Sequence, residues 1–221
     1  MLVRAQLAAG DQQQAISSLN TLAGIVPRSP GPLVELSDLQ RLGKDRAGAE
    51  RSLRRALDQK PDMLEAQQRL ISMLVENGRT DDALAVSRTV QKQRPKAPAG
   101  LLFEGDVDAA AQKWPQAVQA YRKAFALAPA VSIAVKLHAA QISAGQAPDA
   151  AKTAAHGLRN NPQDVAMRSY LAERALAEGR LDDARKLYET VNKLNPDNAL
   201  VLNNMAWIAG QRHDPAALAL A

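Results

Sequence analysis

The chain contains no cysteine, so disulfide frameworks and thiolate metal sites are excluded. Aromatic residues make up only 3% of it, although hydrophobic residues reach 46%. A core poor in aromatics has to be built from Ala, Leu and Val, which suits closely approaching helices better than sheets. No apolar run approaches the ~20 residues a membrane-crossing helix needs, and neither end reads as a signal peptide. Charge of one sign is also lacking: 28 basic residues stand against 23 acidic ones, a net of +5 over 221 residues. The densest basic cluster, Arg51, Arg54 and Arg55, has Glu50 and Asp58 beside it and no aromatic stacking platform. It reads as a solvated helix face, and no nucleic-acid partner is expected.

What is present is a period. Prolines fall at Pro27, Pro61, Pro95, Pro129, Pro162 and Pro196, at intervals of 34, 34, 34, 33 and 34 residues. The unit at 165–198 shows what lies between them. Leu171, Ala172, Ala175 and Leu176 recur at helical spacing up to Gly179, then Ala184, Leu187, Tyr188, Val191 and Leu194 mark a second helix. Gly179 suits the left-handed position that ends a helix. Asp182 and Asp183 open the second helix, where carboxylates can cap free N–H groups. Pro196 stops it, and Asp197 or Asn198 can cap the next. The other turns read "AAGDQ", "RLGKD", "ENGRT" and "SAGQA", with "QKWPQ" as the one lacking glycine. Pro115 and Pro148 suit first helical turns. Twelve residues before each closing proline stands an alanine: Ala15, Ala49, Ala83, Ala117, Ala150 and Ala184. One small side chain in all six units implies close contact between helix backbones.

Two short helices per 34 residues, small residues in the second and a closing proline resemble the tetratricopeptide repeat family. The resemblance implies an all-α superhelix, an α-α solenoid of about six and a half hairpins with one continuous core. The units would be 1–29 (partial), 30–63, 64–97, 98–130, 131–164, 165–198 and 199–221 (partial). The family's leucine in the first helix, helix A, matches Leu2, Leu36, Leu70, Leu137, Leu171 and Met205, and Glu104 breaks it. Its large residue in the second, helix B, matches Tyr121 and Tyr188, with Leu19 and Leu53 as substitutes. Ser87 and Ala154 depart from it, so the third and fifth hairpins are expected to pack less well. The late small position reads Leu22, Ala56, Val90, Ala124, Gly157 and Val191.

No catalytic constellation emerges. His138, His156 and His213 lie on different repeats without ligand-spaced partners, and the Asp81–Asp82 and Asp182–Asp183 pairs sit where capping explains them. Phosphate loops and nucleophile elbows are missing too. The expectation is a non-enzyme with no cofactor and no metal, binding a protein or peptide partner on its surface. In the family, helix A lines the concave side. By register that face holds Val34, Asp38, Arg41, Gln68, Arg69, Ser72, Phe103, Asp106, Lys136, Ser169, Tyr170, Glu173, Asn203, Asn204 and Trp207. The groove candidates drawn from it are Arg69, Phe103, Lys136, Tyr170, Glu173, Asn203, Asn204 and Trp207. Phe103, Tyr170 and Trp207 read equally as peptide anchors or as partly buried core. Val34, Asp38, Gln68 and Ser72 stand where a chaperone-type carboxylate clamp would need Lys and Asn, so the groove is not of that type.

The segment from Arg168 to Ala221, with "LNNMAW", "HDPAALALA" and the preceding "LHAAQISAGQAPDAAKTAAHGLRNNP", is similar to large bacterial repeat lipoproteins of the PEP-CTERM/exosortase sorting system. That resemblance implies a Gram-negative cell envelope, periplasmic or outer-membrane-anchored, with exopolysaccharide-related work. A cytoplasmic location stays open. So does a second class of function, a regulatory or substrate-guiding segment of an enzyme whose catalytic domain lies outside this chain. Met1–Ala9 reads as the back half of a helix A, and Pro215–Ala221 as a helix B stopped early. The chain therefore reads as part of a longer array whose ends are expected to fray or to associate end to end.

Overall fold

In the computed structural model of the protein, residues 2–211 are described, and every regular element among them is an α-helix. Met1, His213 and Pro215–Ala221, to which some expectations above refer, lie outside the described residues. The chain divides between Leu127 and Ala128 into two compact units. The first holds α1 (Leu2–Ala8), α2 (Gln12–Ile25), α3 (Gly31–Leu42), α4 (Arg46–Gln59), α5 (Leu64–Glu76), α6 (Thr80–Gln93), α7 (Ala99–Ala110) and α8 (Trp114–Leu127). The second holds α9 (Val131–Ser143), α10 (Ala147–Asn160), α11 (Val165–Ala177), α12 (Leu181–Leu194) and α13 (Ala199–Gln211). Within each unit consecutive helices pair as antiparallel hairpins, in the manner of a helical solenoid.

The turn inside each hairpin is set by one backbone device. A residue with positive φ occurs at Gly10, Lys44, Gly78, Gln112, Gly145 and Gly179, repeating the spacing of the prolines. The next residue's N–H reaches back five residues, as in Asp45 N to Gln40 O and Arg180 N to Ala175 O, both 2.8 Å. This 6→1 bond closes the helix end by satisfying an otherwise orphaned carbonyl. In the second hairpin the left-handed position falls on Lys44 (φ 63°), whereas Gly43 stays at φ −76°. Glycine is thus absent from that position in two of six turns. Each helix B then runs until two residues before its closing proline; α12, for example, ends at Leu194 and α10 at Asn160.

Capping differs from the expectation. Asp182 and Asp183 lie inside the first turn of α12, whose N-cap is Arg180, and no side chain caps it. Asp183 instead binds Arg180 Nη1 at 2.7 Å, and Asp82 binds Arg79 Nε at 2.7 Å in the equivalent turn. The arginine takes the cap position, so the carboxylates pair with it while staying near the positive helix end. Side-chain caps come from Asp11, Asp45, Asp164 and Asn198.

All six repeating alanines are completely buried, each at 0% exposure. Leu19, Leu53, Tyr121 and Tyr188 fill the large helix B position and are also buried. Ser87 is buried too, with its hydroxyl donating to Ala83 O at 2.9 Å, so the third hairpin closes around a satisfied polar group. Glu104, in the leucine position of α7, is half-buried and accepts a bond from Gln91 Nε2 at 2.7 Å. Two expected core positions are exposed, Leu2 and Leu22. Helix α1 buries none of its residues, and in α2 the inward place is taken by Ala23 instead of Leu22. One core cluster runs from Ala15 to Val107 in the first unit and another from Ala172 to Ile208 in the second. Pro129 sits at the division, followed by extended Ala130 (φ −95°, ψ 148°).

Candidate functional site

Helix A of successive hairpins presents equivalent positions at the repeat spacing. In the first unit, α3, α5 and α7 carry Asp38, Ser72 and Asp106 at one such position, and Arg69 and Phe103 at another. Between α3 and α5 lies a cleft of about 480 Å³, lined by Asp38 and Arg41 from one side and by Glu65, Gln68, Arg69, Ser72 and Glu76 from the other. A second cleft of about 280 Å³ continues between α5 and α7 and shares Gln68, Ser72 and Glu76 with the first. Its further wall is Ile71, Val75, Phe103, Asp106 and Val107. The helical spacing of 65, 69, 72 and 76 places those α5 residues on one stripe.

Of the expected concave residues, Asp38, Arg41, Gln68, Arg69, Ser72, Phe103 and Asp106 line these two clefts. Val34 does not: it is buried at 3% exposure, within the core cluster. Arg69 is engaged internally, with Nη2 3.0 Å from Asp38 and Nη1 2.5 Å from Glu65. Phe103 is half-buried against the core of its unit. Asp106 accepts the Tyr121 hydroxyl at 2.6 Å; burial, then that carboxylate, pushes the Tyr121 pKa well up, so the phenol stays protonated.

The second unit carries the other candidates. Lys136, Glu173 and Asn203 are exposed, and Trp207 is 50% exposed on α13. Tyr170 is half-buried, its hydroxyl 2.9 Å from His138 Nδ1, with the rings edge to face at 5.3 Å. Burial, and then the Arg174 guanidinium, hold the His138 pKa below its usual value. Asn204 donates to the Tyr188 hydroxyl at 2.9 Å. Tyr170 and Asn204 therefore tie helices together as well as standing on the helix A face. Glu65, Glu76, Ile71 and Val75 were missed by sequence reasoning; the stripe through Arg69 and Ser72 on α5 carried the signal for the two glutamates. Among the described residues no group of three or more His, Cys, Asp or Glu is placed to hold a metal ion, and no helix is long and apolar enough to cross a membrane.

The comparisons with known proteins agree with this repeat geometry. The profile of the tetratricopeptide repeat matches residues 42–102 and 141–208. A tetratricopeptide repeat protein from Parabacteroides merdae is 18% identical, with 99% of this chain and 87% of that one covered and a TM-score of 0.65. MamA from Desulfovibrio magneticus is 18% identical over 72% of this chain and 90% of its own, with a TM-score of 0.56. PilF of Pseudomonas aeruginosa is 16% identical over 95% and 94%, with a TM-score of 0.58. At these identities the likeness is one of fold. No curated protein matches the chain. The profile covers more than half of the residues, and the buried alanines recur where the repeat demands small side chains: the chain belongs to the tetratricopeptide repeat family, whose members bind protein and peptide partners.

Proposed function

We propose that the chain is a non-catalytic scaffold that holds a partner protein or peptide in the helix A groove. The observation that carries this reading is the run of two clefts across α3, α5 and α7, with polar and apolar walls on rigid helices. The resemblance of the segment from Arg168 onward to exosortase-associated lipoproteins supports a place in the bacterial envelope, periplasmic or outer-membrane-anchored, in a PEP-CTERM or exopolysaccharide-related system. Fractionation of the source cells with an antibody to the chain tests the compartment; recovery in the cytoplasm alone would overturn that part.

The groove itself is tested by site-specific photo-crosslinking. A photoreactive residue at Ser72 should capture a partner from source extract, and one at Arg55 on α4 should not. Both positions are exposed, so the comparison does not disturb the core. Capture concentrated at Arg55, or its loss on replacing Arg51, Arg54 and Arg55, would place binding on the basic helix B face instead.

A further inference from the structure

The groove of the first unit differs in charge from the chain around it. Its two clefts are lined by four carboxylates, Asp38, Glu65, Glu76 and Asp106, against two guanidinium groups, Arg41 and Arg69. That is a formal charge of −2 inside a chain of +5. The two arginines do not offset it equally. Arg69 is held from both sides by Asp38 and Glu65. Arg41 reaches Glu76 only at 4.0 Å, and both side chains are about half exposed, a geometry worth little in water. Asp106 is taken up by the Tyr121 hydroxyl, whereas Glu76 has only this long, exposed ion pair, and it stands where the acidic cleft meets the apolar one. Beyond it Val75 and Phe103 offer a half-buried apolar wall.

We infer that the occupant of this groove is an extended segment of a partner protein that carries a lysine or arginine next to an apolar side chain. The inference rests on the groove reading above and specifies its ligand. The cation lies against Glu76, and the apolar side chain lies against Val75 and Phe103. An acidic segment would find only Arg41 loosely held, since Arg69 is already in contact with two carboxylates, and would meet like charge at Glu76. The chain's net positive charge does not decide the matter. At physiological ionic strength screening acts over about 8 Å, so the groups lining the groove set the local sign.

Three labelled peptides of equal length test this, each with the same central leucine flanked by lysines, glutamines or glutamates. Fluorescence anisotropy on the full chain should rank lysine over glutamine over glutamate, with the lysine peptide about tenfold tighter than the glutamate one and weakened by added salt. Glu76→Gln should lower the affinity of the lysine peptide severalfold and leave helicity by circular dichroism unchanged. Ser72→Lys, at an exposed position, should narrow or reverse the ranking. Phe103→Ala should weaken all three peptides alike. If the glutamate peptide binds as tightly as the lysine peptide and Phe103→Ala still weakens both, the basic preference is wrong and the groove reading stands. If no peptide binds, or Phe103→Ala changes nothing, the groove reading falls with it.

Discussion

Two glycines inside helices make opposite predictions from the same substitution. Gly157 lies in α10, buried, and a methyl group built there would stand 3.5 Å from Met167 Cγ and 3.6 Å from its Cε. Those are ordinary van der Waals distances. Gly157→Ala should gain about 1 kcal/mol from helix propensity. Burying the new methyl adds up to ~0.8 kcal/mol. Gly105 lies in α7, and its added methyl would meet Tyr121 Cε1 at 2.5 Å and Cδ1 at 2.6 Å. Tyr121 cannot swing away freely, because it is 4% exposed and its hydroxyl is bonded to Asp106. Overpacking of that kind costs about 1–3 kcal/mol, which cancels or exceeds the propensity gain.

The expected result is that Gly157→Ala unfolds later than the parent and Gly105→Ala earlier. For a chain of this size 1 kcal/mol corresponds to about 2–4 °C in Tm. Urea titrations followed by circular dichroism give the same ordering without relying on reversibility on heating. Repeat arrays can depart from two-state behaviour, so midpoints and slopes are both compared. A Gly157→Ala variant less stable than the parent, or a Gly105→Ala variant equal to it or better, would refute the packing argument.

Ala184→Leu should overpack the fully buried contact at the start of α12 and cost about 1–3 kcal/mol, seen as a lower Tm. Gln112→Gly should stabilise the chain by several tenths of a kcal/mol up to about 1, because Gln112 holds φ 57° where glycine is unstrained; an unchanged urea midpoint would refute it. His138 is buried with its pKa lowered below the ordinary 6.5, so the unfolded chain binds the proton more readily. Its contribution is present above the unfolded value and lost as pH falls below it, so Tm should drop on acidification through that region. His138→Gln should flatten the drop, and an identical pH profile for the variant would assign it to other groups.

How much of this was readable beforehand depends on which constraint each residue obeys. The six alanines and the closing prolines were legible because close helix contact and helix termination each admit few side chains. The left-handed turn positions were legible from the period more than from glycine itself, since Lys44 and Gln112 keep the spacing without it. The division after Leu127 was not, because Pro129 has the same look as the five prolines that separate hairpins elsewhere. The groove was legible only in part. Register placed Arg69 and Phe103 on the helix A face, but Arg69 spends its charge on Asp38 and Glu65, a pairing between adjacent repeats that spacing along one helix does not reveal. Positions facing a neighbouring helix are limited by the room available, so they repeat. Positions facing the groove are not confined by a packed helix in this way, so they are free to differ from unit to unit, and what distinguishes this array is written in them.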